Sequence, residues 1–193
     1  MDKARVWWWE RGARPLPPPY VVKRAILLKY ARQYRLRIFV ETGTYEGHTV
    51  EAMRRYFDRV FSIELSELYF RRAKSRFANF HHISLLNGDS GFLLATVLKE
   101  IRRAALFWLD GHYSGGDTAR GELDCPALNE LILILRSPFR HVVLIDDARC
   151  FGRDPAYPSL EQIKTVLSQS GRSADFTVAD DIMRIVLMDE NQG

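Results

Sequence analysis

Short apolar runs alternate with longer amphipathic stretches over most of the chain. Five runs are typical of buried strands and cover residues 37–40, 60–63, 82–86, 105–109 and 142–145. A first helix is predicted over 21–34, and apolar positions recur at helical spacing over 48–57, 66–77, 90–101, 125–135 and 159–168. Strands that alternate with helices in this way predict an α/β fold around a parallel sheet.

The C-terminal part of the sequence has a different pattern of apolar residues. Two further strand-type runs, 175–178 and 183–188, are separated only by four residues, which include Ala179, Asp180 and Asp181. So short a connection predicts an antiparallel hairpin. Five strand–helix units followed by a hairpin differ from a symmetrical dinucleotide-binding fold, which repeats parallel units in two halves.

The first 20 residues differ from the rest. Trp7, Trp8 and Trp9 are consecutive, and the stretch PLPPPY at 15–20 favours extended polyproline structure. We therefore expect an N-terminal arm over 1–20 and one domain over 21–193. The arm has two interpretations: its indoles pack on the domain or on a second subunit of a homo-oligomer, or they cover a substrate cleft.

Composition narrows the class of protein. With 193 residues, 47% of them hydrophobic, the chain can form one hydrophobic core without stabilisation by a metal ion or a disulfide bond. Two cysteines and the absence of an apolar run near the ~20 residues of a membrane span favour a cytoplasmic protein without a membrane partner. A net charge of +4 does not indicate a particular class of binding partner. The lack of a dense basic and aromatic stripe argues against a nucleic-acid partner.

Acidic residues stand at or just beyond each predicted parallel strand. They are Glu41, Glu64, Asp89, Asp110, and the pair Asp146 and Asp147. Ligands of open parallel sheets bind outside the carboxyl ends of the strands. Clustered like charges repel one another, so this acidic edge predicts a ligand or a metal ion.

The segment after the first strand reads Glu-Thr-Gly-Thr-Tyr-Glu-Gly-His-Thr from Glu41 to Thr49. Its glycines, Gly43 and Gly47, allow a tight turn near a ligand, but their spacing is not that of dinucleotide-binding loops. Glu64, about 20 residues beyond Gly43, is placed to accept ribose hydroxyls. Asp89 could accept an exocyclic amine, and Ser90 could cap the next helix.

Together these residues resemble the class I S-adenosylmethionine (SAM)-dependent methyltransferases. ETGTYEG is similar to their glycine-rich first motif, Ile63-Glu64 to the ribose-binding acid, Gly88-Asp89 to the adenine contact and Leu109-Asp110 to the fourth motif. The chain departs from the family at Tyr45, where many members have a further glycine. The resemblance implies a Rossmann-like, doubly wound, mostly parallel seven-stranded sheet with a C-terminal antiparallel hairpin. It implies SAM contacts at Glu41, Thr42, Gly43, Tyr45, Gly47, Thr49, Glu64, Asp89, Ser90 and Asp110.

The last two strand ends bear on the reaction type. Asp110, Asp146 and Asp147 form an oxygen set suited to Mg²⁺ or another divalent cation. The pattern is similar to the catechol-type and macrocin-type O-methyltransferases, which hold a metal with such acids. The alternative is that Asp146 and Asp147 stabilise a turn while Asp110 contacts the cofactor amine. His112, on a glycine-rich loop, is the candidate general base, with Asp110 as the other candidate catalytic residue.

We therefore expect SAM-dependent methylation of a small-molecule acceptor, with a metal assisting transfer to oxygen. Two alternatives stay open. One is metal-independent methylation of nitrogen or RNA. The other is a catalytically inert cofactor-binding or assembly protein that uses the tryptophan arm as its contact surface.

Overall fold

The computed structural model describes residues 2–111 and 125–188. These residues form helices α1 (Asp2–Arg11), α2 (Tyr20–Gln33), α3 (His48–Met53), α4 (Glu67–Arg76), α5 (Ser90–Glu100), α6 (Ala127–Leu135) and α7 (Leu160–Gln169). The strands are β1 (Ile38–Thr42), β2 (Arg59–Glu64), β3 (Ile83–Asn87), β4 (Leu106–Leu109), β5 (Val142–Ile145), β6 (Ala174–Ala179) and β7 (Ile182–Leu187).

The seven strands form one sheet in the order β3-β2-β1-β4-β5-β7-β6. Strands β1 to β5 are parallel, with Val40 of β1 paired to Phe61 of β2 on one side and to Phe107 of β4 on the other. Strand β7 runs antiparallel to both β5 and β6. The predicted mostly parallel, doubly wound sheet with a C-terminal antiparallel hairpin is confirmed.

Helices cover both faces of the sheet, and alternate strand residues divide between them. Val40 belongs to the core that includes Leu94 of α5 and Leu131 of α6. Phe39, its neighbour in β1, belongs to the opposite core with Leu27 of α2 and Met53 of α3. Because both faces of β1 are buried, its first three residues, Ile38 to Val40, are all apolar rather than alternating with polar ones.

The N-terminal segment contains a helix that the sequence analysis did not predict. All three tryptophans lie on α1, and Trp9 is buried against Val21 and Val22 of α2. The Trp9 indole N–H donates to the Pro15 carbonyl at 3.2 Å, whereas Trp8 is 70% exposed. The interpretation that an indole packs on the domain therefore holds for Trp9.

The strand order reverses between β1 and β4. Helices α3 and α4, which connect β1 to β3, cover one face of the sheet, whereas α5 and α6, on either side of β4 in the chain, cover the other. Such a reversal opens a crevice at the carboxyl ends of the strands, which is where ligands of this architecture bind. Strand β1 extends to Thr42 and β2 to Glu64, so two of the predicted site acids are strand residues at this edge.

Within residues 2–111 and 125–188, none of the helices has the length and apolar character needed to cross a membrane.

Candidate functional site

The loop after β1 is packed directly on the end of β4. Gly43 has a φ of +86°, and a Cβ atom there would lie 2.6 Å from the Asp110 carbonyl oxygen. Glycine is therefore required both by the backbone conformation and by the close approach of a second backbone. From its motif, Gly43 was expected to let the backbone approach a ligand. In the structure, the close contact of Gly43 is with the backbone of Asp110.

Gly47 ends the loop and precedes α3. Its φ is +73°, and a Cβ atom would meet the Phe77 ring at 2.8 Å. The segment 43–47 thus turns tightly between two packing contacts, and α3 begins at His48 directly beyond it.

Tyr45 takes the place of a glycine at the point where the chain departs from the family motif. Its φ is +47°, a left-handed conformation that glycine adopts at no steric cost. Its backbone N–H donates to Glu64 Oε2 at 2.7 Å, and its ring lies 4.5 Å from that of Tyr69. The loop therefore keeps a conformation suited to glycine and adds an aromatic side chain that is 48% exposed.

Glu64 organises the crevice from the end of β2. While Oε2 accepts the Tyr45 N–H, Oε1 accepts the Ser66 N–H at 2.7 Å. Each carboxylate oxygen has two lone pairs, so each can accept one further hydrogen bond, for example from a hydroxyl group. Glu64 thus joins the loop after β1 to the loop after β2 and is suited to bind a vicinal diol such as a ribose.

Glu41 is held underneath the loop. It is 1% exposed, and its Oε2 accepts a hydrogen bond from Ser62 Oγ at 2.7 Å. Burial raises its pKa to about 8, although hydrogen bonds from Ser62 and Thr49 oppose that rise. Ser62 in turn contacts Thr44 Oγ1 at 2.6 Å, so Glu41 and Thr49 support the loop from below.

Asp89 is the N-cap of α5, with its Oδ1 accepting the Gly91 N–H at 2.8 Å. The expectation that Ser90 caps this helix is therefore wrong. Ser90 is instead the first helical residue and is buried. An Asx cap forms here because Asp89 has the extended backbone that the N-cap requires.

The buried polar side chains of Thr42 and Glu130 were not predicted as site residues together from the sequence. Thr42 Oγ1 and both carboxyl oxygens of Glu130, which lies on α6, have no hydrogen-bond partner in the part of the chain that is described. Burial raises the Glu130 pKa to about 7, opposed by the nearby hydroxyls of Ser90 and Thr42. A lone glutamate in an apolar helix gives no sequence signal for such a site.

The exit of β5 brings two further acids together with two basic residues. The Lys23 ammonium forms a salt bridge with Asp146 Oδ2 and lies 3.9 Å from Asp147 Oδ1. Burial lowers the Lys23 pKa, but Asp146, with smaller contributions from Asp110 and Asp147, more than offsets this effect, so the pKa is raised. Arg149 binds Asp147 Oδ1 at 2.7 Å.

These contacts do not fit the predicted metal site. Both oxygens of Asp146 are engaged, Oδ2 by Lys23 and Oδ1 by the Asp147 N–H. A divalent ion that binds Asp146 Oδ2 would have to displace the Lys23 ammonium, because both cations need the same oxygen. Among residues 2–111 and 125–188, no three His, Cys, Asp or Glu side chains form a metal-binding group. The ligand set of Asp110, Asp146 and Asp147 stays a prediction, against which the contacts of Asp146 argue, while His112 lies outside the described residues.

The loop after β1 and the end of β2 suit the SAM site that the motifs predict. The left-handed loop closes on the Glu64 carboxylate at the carboxyl-terminal edge of the sheet. Asp110 is tied to this edge through its N–H, which donates to the Thr42 carbonyl at 3.2 Å. The acids predicted to contact ribose and adenine, Glu64 and Asp89, end β2 and cap α5 respectively.

Comparison with solved structures identifies the fold. The Streptomyces achromogenes O-methyltransferase TomG, solved with SAM, gives a TM-score of 0.62 at 17% identity over 98% of this chain and 89% of its own. An O-methyltransferase from Bacillus cereus, in complex with S-adenosylhomocysteine (SAH), gives 0.61 at 15% identity over 97% and 90%. The N-methyltransferase NodS of Bradyrhizobium japonicum gives 0.57 at 15% identity over 87% and 95%. Neither a family sequence model nor a curated protein matches the chain.

The chain therefore has the fold of the class I SAM-dependent methyltransferases, as the sequence motifs predicted. Both O- and N-methyltransferases are among the similar structures. The fold alone consequently leaves the acceptor atom to be argued from the site.

Proposed function

We propose that this protein is a SAM-dependent methyltransferase that methylates an oxygen of a small-molecule acceptor. The observation that carries the proposal is Glu64, whose carboxylate closes the loop after β1 at the strand-order reversal. That is the arrangement expected of a ribose-binding acid in this fold. The likeness to O-methyltransferases over 97–98% of the chain supports it.

The residues of this chain have separable tasks toward the cofactor. The Glu64 carboxylate accepts hydrogen bonds from the ribose hydroxyls. Asp89 accepts a hydrogen bond from the adenine amine through the carboxylate oxygen that does not cap α5. Glu41 and Ser62 keep the loop in place from beneath. When bound, SAM supplies an electrophilic methyl group, and the protein contributes by aligning donor and acceptor.

A small cavity of about 10 Å³, room for about one water molecule, lies beside the crevice. It lies between the ends of β4 and β5 and the start of α6, with Leu109, Ile145 and Phe151 among its apolar lining residues. Glu130, Asp146 and Tyr157 add polar groups.

The likeness to O-methyltransferases favours oxygen over nitrogen as the acceptor atom. The Lys23 ammonium at the β5 exit is paired with Asp146 and lies near Asp147, so it balances these carboxylates. His112 remains the proposed general base on the grounds given by the sequence.

The acceptor class can be tested with SAM labelled in its methyl group. We expect label to pass to hydroxylated small molecules, such as phenols, catechols and sugar alcohols, and not to matched primary amines or to RNA. A Glu64→Gln variant should lose this transfer, and a Glu67→Gln variant, altered at an exposed acid of α4, should retain it. Transfer to the amines or to RNA alone would replace the proposal with the corresponding alternative.

A further inference from the structure

We propose that Lys23 occupies the cation position at the β4 and β5 exits, so that this protein works without a divalent metal. The role is that of a positioning residue: the ammonium keeps the strand-end carboxylates charged and in place. Its catalytic consequence rests on the function proposed above, whereas its consequence for metal binding does not.

The position of Lys23 follows from the packing of α2. Val22 and Leu27 of this helix are buried against the rest of the protein, and this fixes the direction in which Lys23 projects. The Lys23 side chain is 18% exposed and that of Asp146 is 1% exposed. A salt bridge buried to this degree is held in one geometry, unlike a solvent-exposed ion pair.

The contacts of the two aspartates leave little for a metal ion. Asp146 gives one oxygen to Lys23 and the other to the Asp147 N–H. Asp147 Oδ1 is bound by Arg149, which also forms a salt bridge with the buried Asp181. A Mg²⁺ ion needs oxygens at about 2.0–2.1 Å in near-octahedral geometry, and to bind Asp146 Oδ2 it would have to displace the ammonium.

The side chains of Lys23 and Arg149 therefore balance the charges of Asp146 and Asp147 in place of one divalent ion. The replacement is visible only in three dimensions, because Lys23 precedes Asp146 by 123 residues. It also accounts for the charge balance of acidic strand ends that form no metal-binding group among the described residues.

The test measures Mn²⁺ binding to the full chain by electron paramagnetic resonance and calorimetry, with no acceptor present. We expect the parent protein to bind no Mn²⁺ at this site. A Lys23→Met variant should gain one Mn²⁺ site, because it frees Asp146, and the double variant Lys23→Met with Asp146→Asn should lose it. Lys29→Met, altered at an exposed lysine of the same helix, is the matched control and should resemble the parent.

Two outcomes would overturn the inference. One is a Mn²⁺ site in the parent protein that disappears in Asp146→Asn, a result that needs no lysine variant to fold. The other is a folded Lys23→Met variant that binds no more Mn²⁺ than the parent.

Once an acceptor is identified, activity gives a second measurement. The parent should turn over fully in excess chelator, while Lys23→Met should be impaired and partly restored by Mg²⁺. Loss of parent activity on chelation would contradict the inference. Absence of turnover with every acceptor would count against the proposed function and leave the Mn²⁺ result to decide the role of Lys23.

Discussion

Replacing Glu130 by Gln should make the protein more stable at alkaline pH. Glu130 is 1% exposed, and burial raises its pKa from 4.5 to about 7. The folded protein therefore binds a proton more tightly than the unfolded chain does. This contribution is fully present below pH 4.5 and is lost as the pH rises through about 7.

The magnitude follows from the two pKa values. At about 1.4 kcal/mol per pH unit across this interval, the ionised carboxylate costs roughly 3 kcal/mol above pH 7. Gln has nearly the same size and no charge to bury, and the hydroxyls of Thr42 and Ser90 can accept from its amide. For a domain of this length, 3 kcal/mol corresponds to roughly 6–12 °C in melting temperature.

The assay is urea unfolding of the cofactor-free protein, followed by circular dichroism from pH 5 to pH 8.5. Parent and Glu130→Gln should have similar stabilities at pH 5 and should diverge as the pH rises. Glu161→Gln, at an exposed acid of α7, should follow the parent throughout. Parallel curves for parent and Glu130→Gln would refute the argument that Glu130 is buried as a neutral acid.

Two other substitutions test the crevice. Gly43→Ala should lower the free energy of unfolding by at least about 2 kcal/mol, because a Cβ atom would lie 2.6 Å from the Asp110 carbonyl. Gly171→Ala, at a similar φ of +70° with nothing within 4 Å, should lose only about 1 kcal/mol in urea unfolding; equal losses would contradict the crowding argument. His112→Ala should lower the transfer rate by ~10²–10⁴ without changing SAH affinity, and a rate within a few-fold of the parent would remove this histidine from the mechanism.

The sequence predicted the fold well because the fold depends on local signals. Apolar runs of strand length, separated by amphipathic helices, determine a parallel sheet almost without reference to tertiary contacts. The short Asp180–Asp181 connection likewise predicted the hairpin, where both aspartates take positive φ values. Helix α1 was missed because its three tryptophans show no helical periodicity and owe their order to packing on α2.

The site was predicted less completely because its chemistry depends on residues far apart in the chain. Acids at strand ends are visible as a pattern, which is why Glu64 and Asp89 could be identified. The cation that neutralises Asp146 comes from α2, and no spacing rule links Lys23 to a strand end. Glu130 was missed for the same reason, since its burial is produced by the packing of α6 on the sheet.

The central claim is that the crevice at the carboxyl ends of β1, β2 and β3 binds SAM, and calorimetry tests it most directly. We expect the parent protein to bind one SAH and no NAD⁺. Glu64→Gln should weaken SAH binding by roughly 10- to 100-fold, the effect of losing hydrogen bonds to a charged acceptor, while Glu67→Gln leaves it unchanged. A folded parent that binds no SAH, or a Glu64→Gln variant with unaltered affinity, would contradict the claim.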